Sequence, residues 1–267
     1  MNSTTAKDQE VLYATRGTFS IERDFTPNPR PVLKWPGGKR SLVDKISERL
    51  PKEFNTYFEP FIGAGAILYA IKPKRAIIND VNAELINLYK VLKNKPKALI
   101  KSLKQHRNEE DYFYEVREKD RSDNYIRMSD VEKASRMIFL NKTCFNGLYR
   151  VNSKGQFNAP FGRYSNPRIL DASNILAVSD FLKACDIEIS CGDFSSSFEL
   201  TKPGDFAYCD PPYIPLSETA NFTAYSKDGF SMDEQIRLRD ELRLLDEKGV
   251  KFMLSNSDTP TTRSLYS

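Results

Sequence analysis

Short apolar runs that stop on a carboxylate or a glycine turn alternate with helical segments along most of this chain, and no other feature limits the fold as strongly. Thr56 to Glu59, Ala76 to Ile78, Ile187 to Ser190, Phe206 to Cys209 and Lys251 to Leu254 read as strands. Helical spacing covers Asn82 to Lys93, Glu109 to Asp120, Ser129 to Leu140 and Asp171 to Lys183. A further helix opens on the capping-box pair Ser231 and Glu234 and ends before Gly249. Such alternation predicts an α/β fold: an open, mostly parallel, Rossmann-like sheet with ligands at the carboxyl ends of its strands.

The 267 residues make about 1.8 typical domains, which leaves room for an elaborated sheet. Pro27, Pro29 and Pro31 bias the chain away from helix, so residues 1–30 are expected to form a polar arm and linker. Residues 31–84 and 169–267 then carry the sheet, and residues 85–168 interrupt it as an inserted helical and hairpin domain. Within the insertion, Asn141 to Leu170 lacks acidic residues and interleaves Lys142, Arg150, Lys154, Arg163 and Arg168 with Phe145, Tyr149, Phe157, Phe161 and Tyr164. Cations meet phosphates and planar rings stack on bases, so this stretch suits a nucleic acid. Leu85 to Asn108 also lacks acids, and its seven bases read as a solvated helix face.

Scarcity excludes several chemistries. The one histidine, His106, has no nucleophile motif nearby, which rules against a histidine zinc site or a serine triad. Cys144, Cys185, Cys191 and Cys209 form no Cys-x-x-Cys pair, so no metal is expected and the thiols are expected to be reduced. No apolar run approaches the roughly 20 residues of a membrane span. The polar opening also lacks a signal-peptide centre, so a cytoplasmic protein is expected.

Three motifs carry the remaining chemistry. Phe58-Glu59-Pro60-Phe61-Ile62-Gly63-Ala64-Gly65 is a strand running into a glycine turn, and Asp80 closes the next strand. Glycines let a nucleotide approach the backbone, and a carboxylate on the adjacent strand takes both ribose hydroxyls. Leu68 occupies the third glycine position of the dinucleotide fingerprint, which favours a nucleoside cofactor and disfavours a nicotinamide dehydrogenase. Lys34-Trp35-Pro36-Gly37-Gly38-Lys39 lacks the first glycine of a phosphate loop, because Leu33 stands there. Asp210-Pro211-Pro212-Tyr213 follows an apolar strand, and a specified tetrapeptide arises by chance about once in several hundred chains of this length. Its carboxylate and proline carbonyl can accept both N–H bonds of an exocyclic adenine amine, the prolines stiffen the loop, and Tyr213 offers a stacking ring.

With the motifs in this order, the chain from about Pro31 to Ser257 resembles the Dam family of DNA adenine-N6 methyltransferases, in the α arrangement. Asn146-Gly147-Leu148-Tyr149-Arg150 and Phe157 to Tyr164 resemble the target-recognition hairpin of the members that read GATC, and Leu216 to Tyr225 gives a further match. The resemblance implies S-adenosylmethionine as cofactor, contacted by Trp35, Lys39, Phe61, Gly63, Gly65, Asp80, Asp193, Phe194 and Asp210. It implies catalysis by Asp210, Pro211, Pro212 and Tyr213 on a flipped adenine. Double-stranded DNA is the expected partner of a monomer, read by Lys34, Asn146, Leu148, Arg150, Pro160 and Tyr164, with Phe145 inserted into the stack where the adenine leaves it. Family members usually carry Tyr where Phe145 stands, and they continue through further strands beyond Ser267, so either a truncated form or a differently built sheet edge is expected. N4-cytosine methylation, which uses the same amine chemistry, and a catalytically silent DNA-binding form remain open, as do restriction-linked, phage and housekeeping roles.

Overall fold

The computed structural model describes residues 28–213 and 230–267. Residues 1–27 of the expected arm, and Leu216 to Tyr225, lie outside them. Five parallel strands form one sheet: β1 (Tyr57–Glu59), β2 (Arg75–Asp80), β3 (Asp186–Cys191), β4 (Phe206–Cys209) and β5 (Lys251–Leu254), in the order β3-β2-β1-β4-β5. All five expected strands are present. Register is set by in-line partners such as Phe58 with Ile77 and Tyr57 with Phe206.

The side chains alternate between two cores, as strands covered on both faces require. Tyr57, Ala76, Ile78, Ile187, Phe206 and Tyr208 enter one core, and Phe58, Ile77, Ala207 and Cys209 enter the other. Helices of eight residues or more among the described residues are α1 (Ala83–Asn94), α2 (Pro96–Leu103), α3 (Glu110–Glu118), α4 (Asp130–Thr143), α5 (Ala172–Ala184) and α6 (Met232–Glu247). Helices α1, α4 and α5 build the first core, while Leu238, Leu242 and Leu245 of α6 build the second. The expected boundary at residues 84 and 85 falls in the first turn of α1, which packs on β2, β3, α4 and α5.

Two local expectations are corrected. The Lys-rich stretch from Leu85 to Asn108 is two helices, because Pro96 at the first position of α2 starts a new helix. Its bases do face outward, but Leu85, Ile86, Leu88, Tyr89, Leu92, Leu99 and Leu103 are buried. At the start of α6 only half a capping box forms: the Ser231 hydroxyl accepts from the Glu234 N–H, and the Glu234 carboxylate turns to Arg237 instead. The complete capping box is at α4, where Ser129 and Glu132 satisfy each other's backbone N–H groups.

Residues 144–164 form a hairpin-like excursion with antiparallel bridges Cys144 to Phe161 and Val151 to Phe157. A buried ion pair secures its base: Arg136 meets Asp120 at 2.7 Å, and the same Asp120 carboxylate oxygen accepts the Phe157 N–H at 2.8 Å.

Candidate active site and nucleic-acid interface

The strand order reverses between β1 and β4, which makes the crevice beyond their carboxyl ends the expected ligand site of an open α/β sheet. The Pro60–Gly65 turn leaves β1 there, and Asp210 leaves β4 beside it. Gly63 and Gly65 have φ of 48° and 72°, a region that only glycine enters cheaply. A Cβ at Gly63 would sit 2.9 Å from the Trp35 ring, and one at Gly65 would sit 2.6 Å from the Tyr89 hydroxyl. Trp35 therefore covers the turn from one side, and Tyr89 donates to the Gly63 carbonyl at 3.0 Å from the other.

Asp80, at the end of β2, accepts the Gly63 N–H at 3.1 Å and the Asn82 N–H at 3.0 Å. Burial pushes its pKa up to about 6 against those bonds. Lys39 is buried and donates to Asp210 Oδ2 at 2.6 Å and to the Gly37 carbonyl at 2.5 Å, with the Tyr213 ring centre 4.8 Å away. Burial works against the Lys39 charge, but the Asp210 carboxylate outweighs it and raises the ammonium pKa. Burial likewise raises Asp210, opposed by Lys39 and by the Tyr213 hydroxyl. Asp210 Oδ1 is buried and meets no donor among the described residues. A buried acceptor without a donor is costly, so this atom is suited to a donor brought by a ligand. Beneath lies Glu59, which accepts from the Tyr57 hydroxyl at 2.8 Å and is pushed well above the ordinary carboxylate range by burial.

On the β3 side, Asp193 accepts both Arg237 nitrogens, at 2.8 and 2.6 Å, and the Ser195 hydroxyl at 2.6 Å. The Arg237 bond leads the forces that hold its pKa down at about 2. Phe61 and Phe194 pack with ring centres 5.3 Å apart, joined by Phe230, and the Arg237 guanidinium covers Phe194 at 4.3 Å. The sequence singled out neither Phe230 nor Arg237.

The hairpin carries the other expected residues. Phe145 is 55% exposed, and Asn146 beside it adopts a left-handed φ of 56°. Arg150 donates through Nε to Asn158 Oδ1 at 2.7 Å and through Nη2 to the Asn158 carbonyl at 3.1 Å. Those bonds leave Nη1 and one Nη2 hydrogen unspent on Asn158. Tyr164 is held through its carbonyl by Asn108 at 2.7 Å, and the Lys34 ammonium lies 5.9 Å from its ring. Leu148 is half-buried and Pro160 exposed. Tyr149, expected from the sequence to be among the rings that stack on bases, is buried and instead stacks on Trp35 with centres 4.9 Å apart, joining the hairpin to the glycine turn. Among the described residues, no helix is long and apolar enough to cross a membrane and no residue group could hold a metal ion.

Comparison with known proteins agrees with this geometry. Residues 35–267 match the family model of the D12 class N6 adenine-specific DNA methyltransferases. The chain is 48% identical over 241 residues to the type II methyltransferase M1.LlaDCHI of Lactococcus lactis subsp. cremoris, covering 90% of this chain and 85% of that protein. It is 44% identical over 246 residues to the type II methyltransferase M.MjaIII of Methanocaldococcus jannaschii, covering 85% and 84%. It is 37% identical over 244 residues to a DNA adenine methylase of Vibrio cholerae, covering 89% and 84%. An adenine-N6 class leaves no place for the N4-cytosine alternative. The chain belongs to the D12 class of N6 adenine-specific DNA methyltransferases.

Proposed function

We propose that this chain methylates N6 of adenine within GATC in duplex DNA, using S-adenosylmethionine and acting on an adenine turned out of the stack. The observation that carries the reading is the buried Oδ1 of Asp210, which meets no donor among the described residues, at the reversal of strand order. When bound, S-adenosylmethionine supplies the methyl group as an electrophile on a positively charged sulfonium. The residues present fit it: Gly63 and Gly65 open the backbone, Asp80 would take the ribose hydroxyls, and Phe61, Phe194, Asp193 and Trp35 would hold the adenine and methionine ends.

The clamp residues act on the other reactant. Asp210 Oδ1 and the Pro211 carbonyl accept the two N–H bonds of the target amine and stabilise the positive charge that develops on N6. Pro211 and Pro212 have no N–H to compete, and Tyr213 stacks on the base. Lys39 holds Asp210 Oδ2, so the carboxylate cannot turn away from the amine. Residues 85–168 serve as the recognition domain. Its Asn146, Leu148, Arg150, Pro160 and Tyr164, together with Lys34, read base edges, and Phe145 fills the gap the adenine leaves.

The test incubates the purified chain with labelled S-adenosylmethionine and a GATC duplex, alongside duplexes with each position changed in turn, and identifies the methylated nucleoside. The expected product is N6-methyladenine on GATC, with methylation lost on each variant duplex. Equal methylation of all duplexes rejects GATC, and binding without methylation supports the silent form.

A further inference from the structure

We infer that Asn141 is a positioning residue that links cofactor binding to base recognition, so that each ligand tightens the other. The inference rests on the reading above, in which Trp35 meets the cofactor and the 144–164 hairpin meets DNA.

Asn141 lies in the last turn of α4 and is fully buried. Its side-chain amide brackets the backbone of one residue in a segment 107 residues away: Oδ1 accepts the Lys34 N–H at 2.9 Å, and Nδ2 donates to the Lys34 carbonyl at 2.8 Å. The second Nδ2 hydrogen goes to the Gly147 carbonyl at 3.0 Å. Both donors and one acceptor of the amide are thus committed, and no other side chain of this size offers that combination. Lys34 is followed by Trp35, whose ring lies against Gly63 of the glycine turn. Gly147 sits between Phe145 and Leu148, and with φ of 64° it runs so close that a Cβ would overlap the Lys34 side chain. The Trp35 and Tyr149 stack closes the same junction from the aromatic side.

The cofactor wall and the recognition turn therefore share one buried amide. A cofactor that fixes Trp35 also fixes the Lys34 peptide, and through Asn141 the Gly147 carbonyl. The ordering imposed by the first ligand is then already in place when the second arrives, which is positive coupling, and coupling is reciprocal. The chain contains its own control. Asn174 brackets the Arg30 backbone in the same way, at 3.0 Å for each bond, and has no bond to the hairpin.

Trp35 is the only tryptophan, so its emission reports on the junction directly. S-adenosylhomocysteine is titrated against the full chain, alone and with saturating GATC duplex. In the parent protein the duplex should tighten the cofactor product about tenfold. Asn141→Ser should bind each ligand singly within about threefold of the parent while its coupling factor falls to about one. Asn174→Ser should keep the parent coupling. A parent protein without coupling, an Asn141→Ser variant that retains it, or an equal loss in Asn174→Ser overturns the inference. If S-adenosylhomocysteine leaves Trp35 emission unchanged, the cofactor-site reading fails first and the inference falls with it. Should Asn141→Ser not fold, hydrogen exchange on the parent decides. Added S-adenosylhomocysteine should protect the amides of Gly147 to Tyr149, and unchanged exchange there overturns the link.

Discussion

At the carboxyl edge of the sheet, charged groups are opposed by partners: Lys39 on Asp210 and Asp80 under backbone N–H groups are shielded, while Arg237 on Asp193 stays partly exposed. On the hairpin the corresponding groups stand in water, with Phe145 55% exposed and the Arg163 side chain 79% exposed. What holds the hairpin in shape is bonding to its backbone from behind, by Asp120, Asn108 and Asn141, with Asn158 inside the hairpin holding the Arg150 guanidinium. On the proposed function, the first region would tune reactivity through burial, and the second would keep contact groups accessible while fixing their direction. Changes in the first should therefore alter rates and pH dependence, and changes in the second should alter which sequence is chosen.

The sharpest break is Asp210→Ala. Losing a preorganised acceptor at the reacting amine should cost about 10²–10³-fold in turnover. Duplex affinity should hold within about threefold, since phosphate contacts supply most of it. Rapid-quench methylation with a parallel gel-shift titration checks both, and a loss of DNA binding equal to the loss of rate would merge the two regions. Next in size is Arg150→Ala. It should cost ~1–3 kcal/mol of discrimination at one base position and leave S-adenosylhomocysteine affinity unaltered. Relative kcat/KM across single-base variant duplexes is the measurement.

Asp80 gives the pH test. Its folded pKa is raised to about 6, so the stabilising contribution of the protonated form is present below the ordinary carboxylate value and disappears as pH rises through about 6. In the proposed cofactor site the ribose hydroxyls would donate to the charged form, so ligand binding should move the other way. S-adenosylhomocysteine affinity should rise by up to about tenfold per pH unit on approaching 6 and then level off. Asp80→Asn should flatten that profile in calorimetry run across pH 5 to 8. The smallest effect is expected from Ser129→Ala, which removes the α4 capping box. It should lower thermal or urea stability by ~1 kcal/mol without shifting cofactor affinity.

The strands were legible because buried parallel strands read as apolar runs. β2 and β3 begin one residue earlier than expected, at Arg75 and Asp186, and β3 runs on to Cys191, where pairing is by backbone and the side chains give no signal. Helix α2 was not read as a helix of its own because the lysine spacing drew attention to charge and away from Pro96. In the site, Gly63, Gly65, Asp80 and Asp210 were legible from local motifs. Asn141, Tyr149, Phe230 and Arg237 were not, because their significance comes from partners far away in sequence: Lys34 for Asn141, and Asp193, 44 residues away, for Arg237.

Glu59 carries a last consequence. Burial favours its protonated form under the clamp, and in that form the floor of the crevice presents a dipole and not a second anion. Negative charge around the reacting amine is thereby concentrated on Asp210 alone. An amide at position 59 would preserve that electrical landscape, so Glu59→Gln is the one exchange in the floor to which the chemistry above should be indifferent.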